Sequence, residues 1–279
     1  MRNSRLFSSI VAATLGAAAT LAPVRAADTA PASSTASRHA SPSGIADRLF
    51  LSFAQDAAIV PSQWWEGQLE FSDGSTNIPV DSTIARGVVA FQPFRNIEIG
   101  GRVGFGSTSA SGNRPDGTGA TDLDIYAKYF FGNVLDHCDF TAGLLLTVPT
   151  GDDTSGLGFN SFAEQIFGGV RYRTERAVIG GHIGLRLNGD GDFQGVSLSG
   201  KTSVELAGNV TVPMKHKLSF VGEAKLETER FDNTDSIAEV LGGINWHAFG
   251  RGMLRSAIGF GLTDSTPDFT FIASYAYTF

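Results

Sequence analysis

The sequence predicts an all-β protein, a transmembrane antiparallel β-barrel of about 12 strands preceded by a short N-terminal helical or plug segment. Three observations carry that expectation. Segments of alternating polarity recur from Trp64 onward, the connectors between them alternate short and long, and the last nine residues form an aromatic-faced strand.

The N-terminus reads as an export signal. Arg2 and Arg5 precede a charge-free run of apolar and small residues, Leu6 to Ala22, and Val24-Arg25-Ala26 offers a small-x-small cleavage site. Residues 1–26 are therefore expected to be removed, leaving a mature chain that begins at Ala27. The alternative is an N-terminal anchor, although the run is Ala-, Ser- and Thr-rich and marginal for the ~20 apolar residues a span needs. Removal takes three arginines from 21 basic residues, so 18 bases face 28 acids and the mature formal charge is −10. That balance excludes the basic footprint of a nucleic-acid binder. The single cysteine, Cys138, excludes an intramolecular disulfide. Beyond residue 26 no apolar stretch is long enough for a membrane helix. A chain that crosses lipid without helices must close a barrel, because an open sheet edge leaves backbone groups unsatisfied there.

Residues 27–62 form a lead rich in Ala, Ser, Thr and Pro, flexible by composition. Within it Gly44 to Ala58 differs: Ile45, Leu49 and Phe53 recur every four residues, with Asp47, Arg48 and Gln55 between them. That spacing predicts a short amphipathic helix, with an extended plug as the alternative. Such a segment either rests beneath the barrel or occludes its lumen.

The barrel is expected over 63–279, in segments near 63–72, 82–92, 96–107, 121–131, 138–148, 162–173, 177–188, 197–212, 217–230, 236–247, 252–262 and 269–279. In the third, Ile97, Ile99, Val103 and Phe105 oppose Glu98 and Arg102; in the fourth, Leu123, Ile125, Ala127, Tyr129 and Phe131 oppose Asp122, Asp124, Tyr126 and Lys128. In the fifth, Phe140, Ala142, Leu144, Leu146 and Val148 oppose Asp139, Thr141 and Thr147; in the ninth, Leu218, Phe220, Ala224 and Leu226 oppose Glu223, Lys225 and Glu227. Period-two segments near the ~9–11 residues of a tilted crossing are the barrel signature. The second and eleventh segments are ambiguous in register, so 10 or 14 strands remain compatible with the pattern.

Connector lengths separate a barrel from a soluble sandwich. Tight gaps such as Pro93–Arg95, Thr174–Arg176 and Ala248–Arg251 alternate with longer, turn-rich ones such as Ser107–Ala120, Pro149–Ser161 and Gly189–Val196. Outer-membrane barrels have short turns on the periplasmic rim and longer loops outside. The long loops are rich in aspartate, including Asp116, Asp152, Asp153, Asp190 and Asp192, whereas Arg95, Arg176, Lys215 and Arg251 sit in the tight turns. An acidic mouth would favour cations over a Debye length of about 8–10 Å; the plainer reading is that Asp is a common turn former.

In the last strand Phe271, Ala273, Tyr275, Tyr277 and Phe279 share one face and Ile272, Ser274, Ala276 and Thr278 the other. This ending resembles the terminal strand of bacterial outer-membrane barrels, in which Tyr275, Tyr277 and Phe279 would form the assembly signal. The resemblance implies a location in the Gram-negative outer membrane. It also implies lipid and lipopolysaccharide as surroundings, with periplasmic chaperones and the barrel-assembly machinery as partners during biogenesis.

No catalytic set stands out, so the chain is not expected to be an enzyme, and no cofactor is implied. His39, His137, His182, His216 and His247 are scattered. Asn188-Gly189-Asp190-Gly191-Asp192 has the alternating oxygens of a calcium loop without its closing glutamate, so turn chemistry is the plainer reading and no metal is expected. The charges expected to line the lumen are Glu98, Arg102, Asp122, Asp124, Lys128, Arg171, His182, Arg186, Lys201, Glu205, Glu223, Lys225, Glu227 and Arg255. Shielded charges must be paired or hydrated, so this mixed lining predicts a narrow, partly bridged pore, or pairs that simply fill the interior.

Gly119-Ala-Thr-Asp122 through Lys128-Tyr129, then Gly143 to Pro149-Thr150-Gly151-Asp152, then Gly156-Leu-Gly158, resembles the outer-membrane transporters of the MetA-pathway of phenol degradation family. The likeness is best over residues 95–190 and its motifs are short. It implies transport, and the expectation is a monomeric channel for passive uptake of small molecules, aromatic or otherwise hydrophobic ones among them. The rival is a structural or adhesive barrel with a closed lumen.

Overall fold

A computed structural model describes residues 48–60, 63–74, 80–110 and 116–279. The expected signal peptide, most of the lead and residues 44–47 lie outside them. Strands β1 (Gln63–Asp73), β2 (Val80–Phe94) and β3 (Ile97–Ala110) are followed by a strand broken into β4 (Gly117–Ala120) and β5 (Leu123–Leu135). Next come β6 (Cys138–Val148), β7 (Ala163–Arg173) and β8 (Val178–Asn188). A separate hairpin, β9 (Gly191–Phe193) and β10 (Val196–Leu198), precedes β11 (Thr202–Pro213), β12 (Leu218–Glu227), β13 (Ile237–Phe249), β14 (Gly252–Gly261) and β15 (Phe269–Thr278). Counting β4 and β5 as one, twelve antiparallel strands each pair with their sequence neighbours, and β1 pairs with β15 from Trp64↔Thr278 to Asp73↔Phe269. That last ladder closes the barrel and removes its edges.

Period-two sequence sorts the two faces. In β5, Ile125, Tyr129 and Phe131 are exposed while Asp124, Tyr126 and Lys128 are buried. Exposed aromatics cluster at both ends of the outer face. Trp65, Phe91, Phe94, Tyr129, Phe131, Tyr172, Trp246, Phe249 and Phe279 lie toward the short-turn rim, and Phe71, Phe260 and Phe269 toward the other. Two aromatic girdles around an apolar band are what a bilayer's interfaces select.

Tight turns occupy one rim. Lys215–Leu218 turns through His216 and Lys217, both at positive φ (60° and 62°), which matches the right-handed twist of the flanking strands. The β9–β10 hairpin uses the same device at Gln194 and Gly195, φ 49° and 78°. It begins in the connector expected over Gly189–Val196 and runs on to Leu198, so the segment expected from 197 starts as a barrel strand only at Thr202.

The helix expected over 44–58 does not form in its described part. Residues 48–60 run inside the barrel as bends and turns, with one helix-like bond, Asp56 N–H to Ser52 O at 3.2 Å. The barrel wall takes the backbone groups that a helix would have used.

Candidate functional site

The barrel interior is organised in two zones. Nearest the short-turn rim, residues 48–60 fill it. Arg48 donates Nη2 to Glu98 Oε1 at 2.9 Å, to Tyr126 Oη at 3.0 Å and to Phe53 O at 2.7 Å. Glu98 also accepts the Val60 N–H at 2.5 Å and the Tyr126 hydroxyl at 2.7 Å, with Lys128 Nζ at 3.4 Å. Across the lumen, Glu223 accepts the Phe50 and Leu51 N–H groups at 2.6 and 3.0 Å. Gln165 accepts from Gln55 at 2.8 Å, and Lys128 donates to Asp56 O at 2.8 Å. Arg255 donates from Nη1 to both Glu66 oxygens at 2.7 and 2.8 Å, reaches Arg48 O through Nη2 and lies 4.1 Å over the Phe50 ring.

Apolar contacts complete the seat. Phe53 and Val60 pack with Trp64, Tyr126, Phe167 and Met253, and Leu49 and Phe50 pack with Val221, Leu241 and Ile272. Two glycines make room: a Cβ on Gly169 would lie 2.7 Å from Gln55 O, and one on Gly243 would lie 2.8 Å from Phe50 Cε2.

Toward the long-loop rim lies a chamber of about 360 Å³. Its floor is Leu51, Phe53 and Gln55, its wall carries Arg102, Asp124, Leu145, Thr147, Arg186, Glu205 and Lys225, and its ceiling is Gly156–Phe159 of the β6–β7 loop with Arg230. The break between β4 and β5 anchors that ceiling. Asp122, at the break, accepts the Gly151 N–H at 2.9 Å and the Phe159 N–H at 3.2 Å, while Asp152 N–H donates to Ala120 O at 3.0 Å. Thr150 donates to Thr121 O at 3.2 Å, and Pro149 ends β6 just before the loop turns. Asp152 accepts from the hydroxyls of Thr154 (2.6 Å) and Ser155 (2.8 Å) and from their N–H groups. These bonds hold its carboxyl below the ordinary carboxylate range.

The remaining charges fall into separate pairs. Asp124 meets Arg102 at 2.8 Å, His182 meets Glu205 at 2.7 Å, and Lys225 meets Glu239 at 2.9 Å. Glu227 holds Arg230 through two bonds at 2.5 and 2.8 Å. Arg171, with Arg173, lies on Asp139 nearer the short-turn rim. Lys201 precedes β11 and pairs with Glu229 at 2.5 Å at the opposite rim, where its ammonium is held above its ordinary pKa. Asp190 and Asp192 accept from the Gly200 N–H and the Ser197 hydroxyl inside the β8–β11 connection. Tyr277 stacks edge-on with Phe279 at 5.0 Å on the outer face, and Tyr275 shares that face.

Sequence reasoning missed Arg48, Glu66, Gln165 and Arg230 as interior groups. Glu66 alternates with outward Trp65, a signal that could have found it; for Arg48, whose side-chain partners Glu98 and Tyr126 lie 50 and 78 residues away, no local signal marks the barrel contacts.

No family model matches the sequence, and no curated protein does. Among solved structures, the chain is similar to an outer-membrane channel from Pseudomonas putida F1, with a TM-score of 0.66 and 16% identity over 80% of this chain and 98% of that one. What the two share is the fold, a closed antiparallel β-barrel. The NanC porin superposes with a TM-score of 0.57 at 10% identity, over 77% of this chain and 100% of that one. The KdgM porin in complex with oligogalacturonate gives 0.53 at 10% identity, over 77% and 99%. At these identities the likeness is one of architecture.

Proposed function

We propose that the protein is a monomeric outer-membrane channel for passive uptake of small molecules, kin to the MetA-pathway of phenol degradation family, with residues 48–60 as its periplasmic-side plug. The observation that carries this reading is the polar chamber between plug and loop. Its volume of about 360 Å³ falls within the ~300–1,000 Å³ of small-molecule sites. A barrel built only for rigidity has no need of such a space. Apolar surfaces of Leu51, Phe53, Leu145, Leu157 and Phe159 beside the charges suit solutes with a hydrophobic or aromatic part.

The plug itself supports a second reading, a closed structural barrel, because buried bonds to Glu98, Glu223 and Gln165 lock it in place. Swelling of vesicles holding the refolded mature protein separates the two. Entry of small solutes, faster after deletion of Gly44–Ala58, supports the channel. No entry through either folded form supports the closed barrel.

A further inference from the structure

One guanidinium in the chamber differs from its neighbours. Arg86, Arg102, Lys225 and Arg230 each have a carboxylate partner. Arg186, on β8, instead donates Nε to Asn188 Oδ1 at 2.9 Å and Nη2 to Thr147 Oγ1 at 2.9 Å, both neutral groups. No salt bridge to Arg186 occurs among the described residues. Four acids surround it and each has other donors: Asp124 takes Arg102 and Thr147, Asp122 takes two loop N–H groups, Glu205 pairs with His182, and Glu227 takes Arg230 and Ser203. Two of the five guanidinium N–H donors are thus used to fix its direction, leaving three for a guest.

Apolar surface lies beside this cation. Leu157 and Phe159 face the chamber from the loop. A second cavity of about 240 Å³, lined by Phe159, Phe193, Val196 and Phe231, shares Phe159 and Arg230 with the chamber. Phe159 stacks on Phe193 at 5.1 Å and lies 5.4 Å from Phe231. An aromatic antechamber therefore adjoins a chamber in which one guanidinium fork has no carboxylate partner among the described residues. Arginine favours carboxylates because its planar fork matches both oxygens. The four nearby acids disfavour a dianion, which leaves a single negative charge.

We propose that Arg186 binds the carboxylate of a small monocarboxylate solute whose apolar part packs on Leu157 and Phe159, an aromatic acid being the best fit. This rests on the channel reading and deepens it. The acidic loops oppose arrival of such an anion at low salt, so entry quickens as salt shortens the Debye length from about 10 Å at 0.1 M to about 3 Å at 1 M.

The test uses the full mature protein, folded in detergent, with calorimetric titration of benzoate, its neutral counterpart benzyl alcohol and the cation benzylammonium. Benzoate should bind at least about tenfold tighter than benzyl alcohol, the scale of a charge-assisted hydrogen bond. Arg186→Gln should abolish that preference and leave benzyl alcohol unchanged. Arg186→Lys, which keeps the charge without the fork, should retain only part of it, and it carries the test if Arg186→Gln does not fold. Equal affinities in the intact protein, no binding of any probe, or a full preference in either variant would overturn the assignment. Binding in detergent needs no passage, so selective benzoate binding without entry into vesicles would sink the channel reading and leave the carboxylate site standing.

Discussion

Glu223 is the sharpest lever on the plug. Its carboxylate accepts the Phe50 and Leu51 N–H groups at 2.6 and 3.0 Å from a buried position on β12. Hydrogen bonds to a charged group contribute about 1.5–3 kcal/mol each, so Glu223→Ala removes roughly 3–6 kcal/mol of docking. Water drawn from the chamber restores part of that loss. Taking the lower end, about 3 kcal/mol, the undocked population rises on the order of 100-fold. The assay is thiol labelling: Ala54→Cys in a Cys138→Ser background places a thiol where the side chain is fully buried, 0% exposed, in the docked plug. When redocking outpaces labelling, the modification rate reports the undocked fraction. The rate should rise on the order of 100-fold in Glu223→Ala, with the barrel's heat-shifted migration on gels unchanged. An unchanged rate in a folded barrel would refute the claim that these two bonds hold the plug.

Three further outcomes follow from the same geometry. Gly169→Val should push the plug away rather than open the barrel, because its Cβ would meet Gln55 O at 2.7 Å; faster labelling at Ala54→Cys with unchanged urea stability would show it. Ile183→Arg should cost about 2–4 kcal/mol in urea titrations of vesicle-folded protein, as a cation at the bilayer midplane does; Ile183 is 57% exposed at the centre of β8. Asp152→Ala should free the β6–β7 loop and speed its proteolysis, since four bonds from Thr154 and Ser155 converge on that carboxylate. Its folded pKa is depressed, so this contribution is present above the unfolded value and lost as pH falls through the lower folded one; intact protein should become protease-sensitive in that acid window.

The strands were legible because period-two sequence is set by the solvent on each face: Ile125 and Tyr129 must meet lipid, while Asp124 and Lys128 must not. The plug was less legible for a physical reason. Leu49 and Phe53 keep helical spacing, yet their contacts lie on different walls, and Glu223, Lys128 and Arg255 compete for the backbone groups that would have closed helical turns. Those competitors sit far away in sequence. The loop motif beginning at Pro149 was visible as a turn, but its attachment to Asp122 depends on a strand break that alternation does not reveal. Lys201 illustrates the same limit: alternation placed it in a strand, whereas it belongs to the connection that precedes β11.

Single-channel recording in planar bilayers, comparing the refolded protein with its Gly44–Ala58 deletion, tests the central claim most directly. The account predicts rare, small openings for the intact protein, and frequent, larger ones once the plug is removed. Silence from a folded barrel in both forms would contradict it.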